Sequence, residues 1–160
     1  MAAAGETVRP ADAAEAARIA QVIRSAFGEY RGVLEPPSGA LALDTGAVRE
    51  LMTLGGILAC ECDARIVACV FHRTHADYVY LGRLSVLPAF RGRGIGVRLV
   101  TEVEGLAVAA GRDRVRLGVR LNLPRNRELF ERLGYREVGL DSHTGSPIPT
   151  FAWLEKRVDD

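Results

Sequence analysis

The chain has 160 residues, 48% hydrophobic and 26% charged, with a formal net charge of +1. These are ordinary values for one folded domain, and a chain this long buries roughly 70% of its unfolded surface without a disulfide or metal staple. They exclude whole-chain disorder, collagen and coiled coil, and no apolar run approaches the ~20 residues of a bilayer span. The first ten residues, MAAAGETVRP, have neither a basic start nor an apolar stretch, so we expect a cytoplasmic protein folded as a single domain over 1–160.

Taken in chain order, Thr7-Val8-Arg9-Pro10 reads as an edge strand ended by proline. Asp12 is placed to cap a helix whose apolar face is Ala13, Ala16, Ala17, Ile19, Ala20, Ile23 and Phe27, stopping near Gly28. Residues 29–39 hold two prolines and two glycines and read as an irregular loop. Thr45 opens a second helix through Leu54, closed by Gly55-Gly56. Strands follow at 57–62 and 65–73, joined by the two-residue turn Asp63-Ala64, and at 78–87. Pro88 ends the third, and a basic, glycine-rich loop leads to a helix with Ile95, Leu99, Val103, Leu106, Ala107 and Ala110 on one face and Gly111 at its C-terminus. Val115, Leu117 and Val119 alternate with Arg114, Arg116, Gly118 and Arg120, which is a strand pattern. A short helix at 126–133 ends at Gly134, and 135–140 and 150–154 are the closing strands. The order β-α-α-β-β-β-α-β-α-β-β predicts an α/β (α+β) domain with a mixed, mostly antiparallel sheet of six to seven strands and about four helices.

Cys60, Cys62 and Cys69 are odd in number and lie in apolar strand segments. C-x-C lacks the spacing of a redox or zinc motif, so they read as small buried hydrophobes, and no metal is expected. Charge is unevenly spread: residues 1–62 carry five Arg against eight acidic residues, and residues 83–136 carry twelve Arg against five. Arg83, Arg91, Arg93 and Arg98 have no acid between them, which points to an anionic ligand. Aromatics are too sparse there for extended nucleic acid.

The chemistry-bearing stretch is Leu84-Ser85-Val86-Leu87-Pro88-Ala89-Phe90-Arg91-Gly92-Arg93-Gly94-Ile95-Gly96. A strand ends, glycines follow at alternate positions, and a helix begins. The first N–H groups of a helix lack intrahelical acceptors and, with the helix dipole, attract anions. Arg91 and Arg93 add charge beside them, so phosphate is the natural guest. The Walker pattern is excluded because no lysine is near, and the dinucleotide fingerprint because the third glycine comes one residue early. A Cβ at Gly94 is expected to crowd the closest approach of the ligand to the backbone.

At these residues the chain resembles the GNAT superfamily of acyl-CoA N-acyltransferases. Arg91-x-x-Gly94-x-Gly96 is similar to that family's [QR]-x-x-G-x-[GA] pyrophosphate motif, with Leu84-Ser85-Val86-x-Pro88 as its lead-in. Residues 126–135, NRELFERLGY, resemble its N-x-x-[FL]-Y-E-x-x-G-[FY] segment. The resemblance implies a GNAT-like fold and acetyl-CoA as co-substrate. It implies that Leu84, Ser85 and Val86 meet the pantetheine arm, Val86 N–H facing the thioester carbonyl. Arg91, Gly92, Arg93, Gly94, Ile95, Gly96 and Val97 would hold the pyrophosphate, and Asn126 and Phe130 would touch the cofactor. An amine acceptor would enter where strands 78–87 and 114–120 splay apart.

Two departures from the family pattern bear on chemistry. Phe130 stands where many relatives carry a tyrosine that protonates the departing thiolate, and the strand 78–87 has no carboxylate to act as base. The remaining base candidates are His72, Tyr30 and Glu35, with His75 and His143 behind them; water is the alternative. Tyr30, Arg31, Arg83 and His143 are the expected acceptor-side residues. The leading function is acetyl transfer from acetyl-CoA to a primary amine of a small molecule. The alternatives are a non-catalytic acyl-CoA sensor and a peptide N-terminal or lysine acetyltransferase. No nucleic acid or membrane partner is expected, and a homodimer is the assembly the resemblance allows.

Overall fold

The structure is a computed structural model describing residues 5–158. Seven strands form one sheet in the order β1-β2-β3-β4-β5-β7-β6, with four α-helices: β1 Glu6–Pro10, α1 Ala16–Phe27, α2 Thr45–Leu54, β2 Gly56–Cys62, β3 Arg65–Thr74, β4 Val79–Val86, α3 Ile95–Ala109, β5 Arg114–Arg120, α4 Pro124–Arg132, β6 Arg136–Asp141 and β7 Phe151–Arg157. The β4–β5 pair is parallel, and β1–β2, β2–β3, β5–β7 and β6–β7 are antiparallel. The expected element order and sheet type are therefore found. Among the described residues no helix is long and apolar enough to cross a membrane. The chain forms two compact units, one running through Arg73 and including Arg83–Glu102, the other comprising Thr74–Gly82 and the chain from Val103 onward.

In the first unit, the Asp12 side chain accepts from Ala14 N–H while Glu15 reaches back to Asp12 N–H, a reciprocal cap. The turn so capped, Ala13–Glu15, is a 3-10 turn, and α1 proper starts after it. Its buried stripe is Ala16, Ile19, Ala20, Val22, Ile23 and Ala26. Ala13 and Ala17, expected inside, are exposed. The tighter turn takes Ala13 off the α-helical register, and Ala17 lies on the far side from the stripe. Arg9 bridges Glu15 and Glu61 at 2.6 Å each, tying α1 to β1 and β2. Hydrogen bonds from Arg9 hold the Glu15 carboxyl down to about 2.

The β2–β3 hairpin turns through Asp63 and Ala64 with φ of 50° and 65°, the left-handed pair that matches strand twist in a two-residue connection. Cys60, Cys62 and Cys69 are free and buried. Burial pushes the Cys60 thiol to about 11 and the Cys69 thiol to about 12, so both are neutral and unreactive near neutrality.

In the second unit, Val115, Leu117 and Val119 are buried as the alternation predicts. At the end of α3, Arg112 N–H donates to Ala107 O and Gly111 N–H to Val108 O, with Gly111 at φ 74°: a Schellman closure. The buried row along α3 is Ile95, Leu99, Val103 and Ala107, with Val100 beside it. Leu106 and Ala110, expected inside, are exposed. A row advancing four residues at a time drifts about 40° per step, and by the last turn it has moved off their side.

Glycines 55 and 56 close α2 for a steric reason. A Cβ on Gly55 would lie 2.1 Å from the His72 carbonyl oxygen, whereas one on Gly105, exposed in mid-α3, meets nothing within 4 Å. Gly55→Ala is therefore expected to lower stability by several kcal/mol, the range of overpacked and strained sites, and Gly105→Ala to raise it by about 1 kcal/mol. Paired thermal melts check the opposite signs.

Candidate active site

The candidate site is built on the end of β4 and the start of α3. Arg83 lies within β4 at φ 53°, a left-handed kink in a strand, and the buried Ser85 hydroxyl donates to Arg83 O at 2.9 Å. The β4–β5 ladder comprises Val79↔Val115 and Tyr80↔Arg116. Beyond it, Leu87 N–H donates to Val67 O on β3, and Pro88–Phe90 makes one 3-10 turn.

Gly92 and Gly94 then adopt φ of 78° and 80°. Arg98 N–H donates to Gly94 O at 3.0 Å, which makes Gly94 the residue before the helix. The N–H groups of Ile95, Gly96 and Val97 therefore have no acceptor within α3. A Cβ on Gly92 or Gly94 meets no atom within 4 Å. The space above Gly94 is therefore open on the protein side, and its left-handed backbone restricts the position to glycine within the fold. Gly96, within the helix, faces Val86 Cγ2 at 3.8 Å and Leu84 Cδ2 at 4.0 Å from its Cβ position, so Leu84, Val86 and Gly96 converge. Ile95 is buried, Val97 exposed.

The arginines divide. Arg91 is ion-paired with Glu29 and donates to Ala26 O at 3.0 Å and Val86 O at 3.2 Å, tying the loop to the C-terminal end of α1. Arg98 reaches the buried Glu6 at 3.5 Å. Arg83 points its Nη2 at Gly39, 3.1 Å from where a Cβ would stand. Arg93 lies over the Phe90 ring at 4.9 Å and, among the described residues, has no carboxylate partner. Arg91, expected beside the anion, engages Glu29 and two carbonyls. Glu29, which nothing in the sequence spacing singled out, is what holds it.

The base candidates lie on different elements. Tyr30 sits in the 3-10 turn after α1, its ring edge-on to Phe27 at 5.9 Å, and Arg31 and Glu35 are exposed. The His72 imidazole lies across Gly56, 2.7 Å from that residue's Cβ position, and burial lowers its pKa. His75 stacks on Tyr78 at 4.7 Å. His143 bonds Thr150 Oγ1 and meets the Phe151 ring edge-on at 5.1 Å; burial first, then Arg120, lowers its pKa.

Phe130, at the expected acid position, is packed with its neighbours. Asn126 lies in the first turn of α4, half-buried and engaged with partners of its own. Phe130 is buried and edge-on to Tyr135 at 5.7 Å. Tyr135 is 1% exposed, and its hydroxyl donates to Glu104 at 2.8 Å. Lys156 closes the cluster at 3.2 Å from both Glu104 oxygens. Burial, reinforced by the Glu104 charge, pushes the Tyr135 phenol far above its usual value. Tyr135 is a structural donor, not a spare acid.

The sequence model described as the acetyltransferase (GNAT) family matches residues 21–135, and the chain belongs to that family. Human N-acetylaspartate synthetase is 33% identical over 96 residues, which are 59% of this chain and 32% of that protein; the chain thus spans about a third of that curated relative's length. Among solved structures, the ribosomal-protein-S18-alanine N-acetyltransferase from Escherichia coli superimposes with a TM-score of 0.76 at 13% identity, covering 97% of this chain and 95% of the other. PaiA N-acetyltransferase from Thermoplasma acidophilum, in complex with coenzyme A, gives 0.73 at 18% over 95% and 98%. Aminoglycoside 6'-acetyltransferase type Ii gives 0.74 at 21% over 95% and 97%. These likenesses establish the fold.

The lowered pKa of the half-buried His72 has a stability consequence. Its folded pKa lies below its unfolded value of about 6.5, so the unfolded chain binds the proton first. Stability should therefore fall as pH drops through about 6.5 and level off below the folded pKa. Urea unfolding between pH 8 and 5 should show that slope, and His72→Asn should reduce it, leaving the share owed to His143.

Proposed function

We propose that the protein transfers an acetyl group from acetyl-CoA to the primary amine of a small molecule. The observation that carries this reading is the open cradle at the start of α3: two left-handed glycines, three amides without helical acceptors, and Arg93 without an acidic partner. The amides of Ile95, Gly96 and Val97 and the Arg93 guanidinium hold the pyrophosphate of the bound co-substrate. Leu84 and Val86 carry the backbone that aligns its pantetheine arm. The amine nitrogen of the acceptor attacks the thioester carbonyl, and Val86 N–H stabilises the oxygen as it gains charge. The carbon–sulfur bond then breaks, and the sulfur leaves with the electron pair.

No side chain is required to protonate that sulfur. Phe130 has no proton to give, and the Tyr135 hydroxyl is committed to Glu104. A thiol pKa of about 8.5 makes the thiolate a competent leaving group, so positioning supplies most of the acceleration. Deprotonation of the acceptor ammonium falls to water, because β4 carries no carboxylate and His72 lies against Gly56. The irregular 30–43 segment favours a small acceptor over a peptide laid in an open groove. The names of the relatives span an amino-acid product, a ribosomal protein and an aminoglycoside, so fold alone does not select among acceptors. Acetyl-CoA binding without release of CoA thiol on any amine would turn the reading to a sensor.

Gly96→Asp tests the cradle with the fold held constant. The residue is helical, its Cβ has room, and a carboxylate in a first helical turn is worth about 0.3–1 kcal/mol. The variant should melt within a few degrees of wild type, yet bind acetyl-CoA about 100-fold more weakly through repulsion of the pyrophosphate. Calorimetric affinity near that of wild type would overturn the assignment.

The route of the acceptor proton is read from pH. With water as carrier, kcat/KM should climb toward the amine's own pKa, near 10.4 for an alkyl amine, without a limb near 6.5. Replacing His72, His75 or His143 by alanine should leave the shape unchanged.

A further inference from the structure

One face of the second unit carries a feature that acetyl transfer alone does not use. In the β5–β7 ladder, Arg116 lies opposite Glu155, Gly118 opposite Trp153 and Arg120 opposite Phe151, so these side chains share a face. Tyr80 of β4, opposite Arg116, joins them at the last rung of the β4–β5 ladder. Two glycines leave room for the rings: a Cβ on Gly82 would be 2.6 Å from the Tyr80 ring, and one on Gly118 would be 3.2 Å from the Phe151 ring. Trp153 meets Tyr80 edge-on at 6.5 Å and Phe151 at 5.2 Å. The result is an aromatic shelf.

Arg116 is held within that shelf. Its guanidinium lies 5.0 Å from the Trp153 ring centre and 5.6 Å from that of Tyr78. Its Nε is buried without a hydrogen-bond acceptor. The acids that could neutralise it serve others. Glu155, directly across, stands 3.6 Å from Arg114, which also contacts Asp113 at 3.2 Å, and Asp141 faces the Trp153 indole N–H at 3.4 Å. Arg120 has partners of its own. Among the described residues, Arg116 is a cation gripped by two ring faces and lacking a carboxylate.

A guanidinium fixed this way has lost its rotamer freedom and part of its hydration before any ligand arrives. Its Nη groups remain to donate, in the planar fork that matches a carboxylate. We propose that the acceptor is a carboxylate-bearing primary amine, an amino acid in class, and that Arg116 binds its carboxylate while Tyr80, Trp153 and Phe151 take its carbon skeleton. The proposal rests on the acetyl-transfer reading for the role of the amine. The single uncommitted guanidinium favours a monoanion over a phosphate dianion.

The test pairs each of a set of L-amino acids with its own carboxamide, and adds phosphoethanolamine. The amide keeps the amine and skeleton and removes only the negative charge, and its amine is the more easily deprotonated, so nucleophilicity cannot produce a preference for the acid. Two readouts are taken on the acetyl-CoA-loaded protein: binding by calorimetry and CoA thiol release. At least one amino acid should bind about 30-fold more tightly than its amide, the scale of a charge-assisted pair, and be acetylated with a correspondingly higher kcat/KM. Arg116→Gln should erase that preference by lowering kcat/KM for the acid about 30-fold more than for the amide, and Arg116→Lys should restore part of it. Equal handling of acid and amide by the wild type, preference for phosphoethanolamine, failure of every amino acid to bind, or equal loss on acid and amide in both variants would overturn it. If binding shows the preference but no thiol is released, the acetyl-transfer reading falls and the Arg116 site stands. If thiol is released from acids and amides alike, the reverse holds.

Discussion

The structure turns on three backbone amides that a helix cannot satisfy by itself. Any α-helix leaves its first N–H groups without internal acceptors, and most helices answer with a capping side chain. At the 3-10 turn that precedes α1 that answer is Asp12, and at α2 it is Asp44. At α3 the corresponding residue is Gly94, which has no side chain to offer. The amides of Ile95, Gly96 and Val97 thereby have no acceptor within α3. What surrounds them follows from that: left-handed turns that keep side chains out of the space above, and a β4 end that brings Leu84 and Val86 against Gly96.

Charge in the first unit is arranged around the same demand. Four arginines between positions 83 and 98 would make a diffuse positive field if all were unpaired. Glu29 takes Arg91 and Glu6 takes Arg98, each from a distant part of the chain, while Arg83 turns toward Gly39. Arg91 becomes a strut between the loop and the end of α1, where a cation also suits the helix dipole. Arg93 stays available. The effect is to focus charge at one point, as the proposed pyrophosphate site requires.

The second unit solves a different problem, that of buried polar groups. Tyr135, Glu104 and Lys156 satisfy one another at 2.8 to 3.2 Å, so the hydroxyl beside Phe130 is structural. Arg116 is treated otherwise, caged by rings with its Nε unsatisfied.

The element order, the turn at Asp63-Ala64, the caps at Asp12 and Gly111 and the glycine-rich cradle were all legible in the sequence, because each rests on chemistry confined to a few neighbouring residues. The misjudged positions, Ala13, Ala17, Leu106 and Ala110, lie at helix ends or off the stripe, where a 3-10 turn or a drifting buried row shifts the register by less than a hydrophobicity pattern resolves. Partners remote in the chain were not legible: Glu29 for Arg91, 62 positions away, and Glu104 for Tyr135, 31 away. Nor was the shelf of Tyr80, Trp153 and Phe151, whose rings come together only because Gly82 and Gly118 leave them room on separate strands. By itself the sequence determined local backbone chemistry, and with it the cradle. Only the tertiary structure decided which charges are paired and which have no acidic partner among the described residues, because an ion pair or a ring cage depends on distances that no spacing along the chain encodes.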